Sequence, residues 1–194
     1  MLKKSLALFA ASVFAVNANA AVNYPGYLEV QGLYTMVPYK LSYLTNGVTA
    51  RAVDRNGINF HVDLGYQFTE AFAAELGVLW THWPIYRAVL GQNIKVKHNV
   101  VYLAGKYGFS LGKRWQIYGK GGISYVARRG FSVANIQMLS SKLMVTPIFG
   151  AGLLFKINPH WSLDASWMQA LPQSHQKLPV ANFFGFGGIY QFAF

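Results

Sequence analysis

Glu29, Asp63, Glu75, Lys106, Lys120 and Asp164 all fall where strand-like alternation turns polar side chains to one face. Carboxylates and ammonium groups gathered in this way can form ion pairs or line an ion path. His160-Trp161-Ser162, just ahead of Asp164, has the order of a base, a nucleophile and a carboxylate. That chemistry requires the imidazole within hydrogen-bond reach of the hydroxyl and access for a substrate. His61-Val62-Asp63 places an imidazole and a carboxylate on the same strand face, where a hydrogen bond between them is expected rather than a site. His82, His98 and His175 have no histidine or carboxylate at metal-ligand spacing, and no metal or cofactor is expected. Gly119-Lys120-Gly121-Gly122 is followed by no helix, so it is not a phosphate loop. Its glycines read as lumen and packing positions in a curved strand. The chain has no cysteine, which removes thiolate and disulfide chemistry.

Strands are the elements that must position these groups. Ile58, Phe60, Val62, Leu64, Tyr66 and Phe68 alternate with Asn59, His61, Asp63, Gly65 and Gln67, giving one apolar and one polar face. The same pattern recurs around Leu28–Tyr34, Phe72–Thr81, Val101–Phe109, Trp115–Tyr125, Phe149–Phe155, Trp161–Trp167 and Phe184–Phe194. Short turns fall at Thr69-Glu70, Ser110–Arg114 and Asn158-Pro159, each flanked by aromatic residues. Long connections run roughly Pro38–Gly57, Pro84–Lys97, Arg129–Lys142 and Gln169–Pro179. At the amino end, Met1-Leu2-Lys3-Lys4, an apolar run to Val16 and Ala18-Asn19-Ala20 form a secretory signal peptide over residues 1–20.

The chain is 53% hydrophobic, yet after the leader no apolar run approaches a membrane-spanning helix. Strands cross a bilayer only in a closed sheet, because an edge would leave backbone groups unpaired in lipid. The expected fold over residues 21–194 is therefore an all-β, eight-stranded, antiparallel, up-and-down transmembrane β-barrel, with apolar residues facing lipid and polar residues facing the lumen. Short turns would face the periplasm and long loops the exterior of a Gram-negative outer membrane. Buried charges must be paired or hydrogen-bonded, and two readings of the lumen set stand: a plug that rigidifies a small barrel, or an ion pathway. Lys106 is expected to bridge Glu75 and Asp164.

The formal net charge is +11. In an exported chain that points to anionic lipid, phosphate or acidic glycan rather than nucleic acid. The outer loops carry Lys40, Arg51, Arg55, Arg87, Lys95, Lys97, Arg129, Lys142 and Lys177, with Asp54 as their one acid. Contact with lipopolysaccharide phosphates and adhesion to acidic host glycans are both consistent with such loops.

Several motifs together resemble the transmembrane domain of OmpA and its small-barrel relatives: Gly65-Tyr66-Gln67-Phe68 with Ala74-Glu75-Leu76-Gly77, Ala104–Phe109 with Ile117–Lys120, Val145–Gly152, and Gly187–Phe192. The resemblance implies a lumen network of two glutamates, a lysine and an arginine. Glu75 and Lys106 match it; Leu154 and Asp164 replace the others. It further implies that the last strand, with Tyr190, Phe192 and Phe194, is the address read by the barrel-assembly machinery. The chain stops at Phe194 without the peptidoglycan-binding domain that follows in OmpA itself, so cell-wall tethering is not implied. Some relatives hydrolyse lipid A acyl chains with a His-x-Ser pair. Here that pair follows a short turn, at the periplasmic end, so a non-enzymatic, monomeric structural or surface-interaction protein is expected. A narrow passage for ions or small hydrophobic molecules is the alternative.

Overall fold

The computed structural model describes residues 23–38, 52–54, 56–81, 85–89, 92–129, 131–133, 136–139, 141–172 and 179–193. Residues 1–22, where the signal peptide is expected, and Phe194 lie outside the described residues. Eight strands build the main sheet: β1 (Gly26–Met36), β3 (Asn56–Gln67), β4 (Phe72–Thr81), β7 (Lys97–Leu111), β8 (Trp115–Arg129), β11 (Lys142–Lys156), β12 (Trp161–Ala170) and β13 (Ala181–Phe192). They close in the order β1-β13-β12-β11-β8-β7-β4-β3. Chain neighbours pair antiparallel throughout, and β13 returns to β1 from Gly26↔Phe192 to Met36↔Asn182. This is the barrel that the alternation predicts.

Three turns at one end owe their shape to local chemistry. The Thr69 hydroxyl accepts hydrogen bonds from the amides of Ala71 and Phe72, at 3.2 and 2.9 Å. The Asn158 carboxamide accepts from His160 and Trp161, at 2.9 and 2.8 Å. Such side chains mimic a backbone turn two or three residues on. Between β7 and β8, Gly112 takes φ 80°, the left-handed region that glycine enters without steric cost.

The other end carries long connections with strands of their own. β2 (Ala52–Asp54), β5 (Ile85–Val89) and β6 (Gln92–Lys95) form one small sheet, and β9 (Phe131–Val133) with β10 (Ile136–Leu139) a hairpin. The sequence reading treats these stretches only as connections, because three to five residues are too few to show a period. The wall is uneven: β7, β8 and β11 have 15 residues and β4 and β12 have 10, with β11 running past β12 toward the long connections and β7 past β4 toward the short turns.

Every second residue points outward, and those residues are apolar. Ile58, Phe60 and Phe186 are 78%, 66% and 64% exposed. A soluble protein does not display an apolar belt of this extent; lipid accounts for it. Aromatic rings cluster beside the short turns: Phe68 with Phe72, Trp115 with Phe155, and Trp161 with Tyr190, at centroid distances of 5.6, 4.6 and 4.9 Å. That ring of contacts is the aromatic girdle expected at one interface. One expectation needs correction. Gly119 and Gly121 face outward, not into the lumen, because Lys120 between them takes the inward side. Gly122 is the true packing position, since a Cβ there would collide with the Leu103 carbonyl.

Candidate functional site

Inward positions fall into three layers. Toward the long connections the lumen is filled by Leu33, Leu79, Val100, Val126, Met144, Met168 and Phe183. Toward the short turns, Tyr27, Ala73, Tyr118, Leu154 and Ile189 form a smaller apolar cluster. Between them lie the six charged residues expected in the lumen, each less than a tenth exposed.

Two lysines organise this charged layer. Lys106 Nζ donates to Glu75 Oε1 at 2.9 Å and lies 3.6 Å from Glu29 Oε2. It sits 4.1 Å from the Tyr118 ring centroid, a cation–π contact strengthened by exclusion of water. Lys120 Nζ donates to Glu75 Oε2 at 3.1 Å, to Asp63 Oδ2 at 3.4 Å and to the Tyr102 hydroxyl at 3.1 Å. Glu75 also accepts from the Tyr27 hydroxyl at 2.6 Å. The expected Lys106 bridge from Glu75 to Asp164 is not what forms. Asp164 accepts instead from Gln31 Nε2 at 2.6 Å and from the Tyr118 hydroxyl at 2.7 Å, and Lys106 turns to Glu29. Both neutral donors go to Oδ2, and Asp164 Oδ1 is buried without a hydrogen-bond partner.

Glycines make room for these groups. A Cβ on Gly77 would meet Asp63 and the Tyr102 ring, one on Gly65 the Tyr27 ring, and one on Gly152 the Tyr118 ring. The tyrosines fold across the lumen over strands that offer no side chain at that level.

His61 and Asp63 come within hydrogen-bond distance, as expected, with Nε2 2.8 Å from Oδ1. Barrel closure adds neighbours that spacing in the sequence does not reveal. Glu29 stands directly across from Asp63, and Gln31 across from His61, in the β1–β3 register. Glu29, His61 and Asp63 each place a ligand atom within 4.8 Å of the others. Thus a His–carboxylate cluster exists where the sequence reading expects none.

The His160-Trp161-Ser162 motif does not assemble into a catalytic pair. The His160 ring lies 3.1 Å from the Gln191 carbonyl through Nδ1 and packs on Tyr24 at 4.4 Å. Ser162 is buried on the inward face of β12. An open cavity at this end is lined by Gln67, Lys106, Gln116, Lys156, Ser162 and Gln191 and leads up to the charged layer.

Of the basic residues assigned to the outer loops, Lys97, Arg129 and Lys142 are described and all three are exposed. Lys97 is paired with Arg129 across β7–β8, while Lys142 lies opposite Arg128 across β8–β11. Arg128 itself is buried beneath that rim. Lys40, Arg51, Arg55 and Lys177, and the side chains of Arg87 and Lys95, lie outside the described residues.

Residues 6–192 match the family described as outer membrane protein beta-barrel domain. Among solved structures, the fold is similar to Neisserial surface protein A, at TM-score 0.63 and 12% identity over 86% of this chain and 97% of that one. It is also similar to Ail, the attachment invasion locus protein of Yersinia pestis, solved with the heparin analogue sucrose octasulfate. There the TM-score is 0.57 and the identity 17%, over 87% of this chain and 99% of that one. OprG of Pseudomonas aeruginosa gives 0.56 and 14%, over 88% and 98%. No match was found among curated proteins.

Proposed function

The chain belongs to the outer membrane protein beta-barrel domain family, and on that footing we propose that it is a non-enzymatic surface-interaction protein whose basic outer rim holds polyanions. The observation that carries this reading is the juxtaposition of Lys97 and Arg129 on the outward face of adjacent strands, with Lys142 opposite Arg128 on the other face of the wall. Like charges directly opposite one another destabilise a sheet. A rim that accumulates them is suited to an anionic surface such as lipopolysaccharide phosphate or a sulfated or carboxylated glycan. Four of the six acids in the chain are buried in the lumen, so they do little to offset this positive field. The likeness to Ail, crystallised with a heparin analogue, agrees with the glycan form of the proposal.

The test uses the refolded barrel on immobilised heparin and on purified lipopolysaccharide at two salt concentrations. One variant carries Arg51, Arg55, Lys95 and Lys97 changed to Gln; a second carries Lys97, Arg129 and Lys142 changed to Gln. Binding to heparin that is lost in the variants and weakened by salt supports adhesion to acidic glycan. Heparin binding unchanged in both variants removes it, and loss confined to lipopolysaccharide assigns the rim to the membrane's own outer leaflet.

A second reading has one specific observation behind it. At the long-connection end a mostly apolar pocket is lined by Val37, Val100, Val126, Ala170, Ala181 and Phe183, with Thr81 and His98 as its polar members. Its chemistry favours entry of a small apolar molecule over an ion, and binding of an alkane or terpene probe to the refolded barrel tests it.

A further inference from the structure

We infer that Glu29, His61 and Asp63 form a buried site for one divalent transition-metal ion. The neighbours of His61 set its tautomer. Gln31 Nε2 donates to the Asp164 carboxylate, which turns Gln31 Oε1 toward Ser166 and His61. His61 Nδ1, 3.2 Å from that oxygen, therefore carries a proton. In a neutral ring the other nitrogen, Nε2, then bears a lone pair. Nε2 nevertheless lies 2.8 Å from Asp63 Oδ1, an acceptor already facing it, and 3.0 Å from the Tyr102 hydroxyl, whose own proton is directed to Asp63. Something positive must lie between them, a second proton or a metal ion.

Glu29 decides for the metal. It is fully buried, and neither carboxylate oxygen has a hydrogen-bond partner. Its ionic contact is Lys106, at 3.6 Å. A carboxylate placed this way costs several kcal/mol unless a cation serves it. The charge count agrees. The layer holds four carboxylates, Glu29, Asp63, Glu75 and Asp164, against two lysines, Lys106 and Lys120. Arg128 lies eight residues beyond Lys120 on β8, roughly 26 Å along the strand. With Glu29 ionised, a second proton on His61 offsets half of this surplus, whereas a divalent ion with neutral His61 offsets all of it. An imidazole that binds a metal through one nitrogen and donates its other N–H to a fixed oxygen is the usual arrangement around such ions. Here Gln31 Oε1 is that oxygen. One imidazole with two carboxylates suits zinc, manganese, iron or copper better than calcium or magnesium.

The test refolds the full barrel in the presence of Zn2+, removes loosely held ion with a weak chelator, and measures retained metal. About one ion per barrel is expected in the wild type. Glu29→Gln and His61→Gln should retain none, and Gln31→Leu should weaken retention roughly 10- to 100-fold. His98→Gln and His160→Gln, in histidines away from the cluster, should keep it. Cu2+ spin-resonance spectra of the wild type give a second measurement that needs no variant, with coupling to a single nitrogen expected. No retained zinc, retention unchanged in Glu29→Gln, or copper coupled to two or more nitrogens would each overturn the site. The result is independent of what the outer rim binds.

Discussion

The Tyr102 hydroxyl donates to the Asp63 carboxylate, with its two oxygens 2.7 and 2.6 Å away, and it does so across a strand whose contribution at that level is Gly77. Asp63 faces Gly77, and Gly77 faces Tyr102, in consecutive registers. Adding a methyl group at Gly77 would push on both partners at once. Gly77→Ala should therefore lower stability by about 1–3 kcal/mol, as overpacking does in a filled interior. Gly121→Ala is the control, because nothing stands within 4 Å of the added carbon; its effect should stay within about 0.5 kcal/mol. Urea unfolding of the barrel in lipid vesicles measures both, and equal stability of the two variants would refute the crowding account.

The lysines should behave as parts of one network. Lys106→Met takes the ionic contact from buried Glu29 and leaves Glu75 with Lys120 alone, and should cost about 3–5 kcal/mol. Adding Glu75→Gln keeps an acceptor for the Tyr27 hydroxyl, removes one of the two carboxylate charges that Lys106 offset, and frees Lys120 from that partner. The double variant should then be more stable than the sum of the two single losses, with a coupling of about 0.5–3 kcal/mol. Strict additivity in the same unfolding assay would show that the Lys106–Glu75 contact contributes nothing of its own.

These contacts were legible in the sequence to different degrees. Strand alternation exposed the barrel because one face must meet lipid and the other must not, and Ile58 to Phe68 shows both faces in one run. It also assigned Glu75, Lys106 and Lys120 to the interior. Partner choice was hidden, since it depends on which strands adjoin. Asp164 takes Gln31, from a residue 133 positions away, and no local spacing reports that. The apolar upper lumen was missed for a related reason. Val100-Val101 and Trp167-Met168 are apolar on both faces, and a doubly apolar run carries no sign of which side points inward.

That apolar layer bears on conduction. Met144, Met168, Leu79 and Phe183 are each no more than 2% exposed and lie between the charged layer and the long connections. A constriction of such side chains excludes water and ions together. The wild-type barrel should give no discrete current steps in a planar bilayer, and Met168→Ala combined with Phe183→Ala should produce them. Steady ohmic conductance in the wild type would return the charged layer to the role of an ion pathway.

Lys97 and Arg129 offer a sharper test of the rim than loss of binding alone. As an opposed pair on β7 and β8, they repel, and repulsion of this kind costs roughly 0.2–1 kcal/mol in a sheet. Lys97→Gln should therefore stabilise the barrel slightly at low salt. The gain should shrink as salt screens the pair, over a Debye length of about 8 Å at physiological ionic strength. The same substitution should weaken heparin or lipopolysaccharide binding, because it removes one of the charges that attract the polyanion. Opposite signs on stability and binding are what a surface kept for a ligand must show. A Lys97→Gln barrel that is less stable than wild type, with unchanged polyanion binding, would mean that the rim lysine is held by neighbours within the protein and that its charge serves the fold.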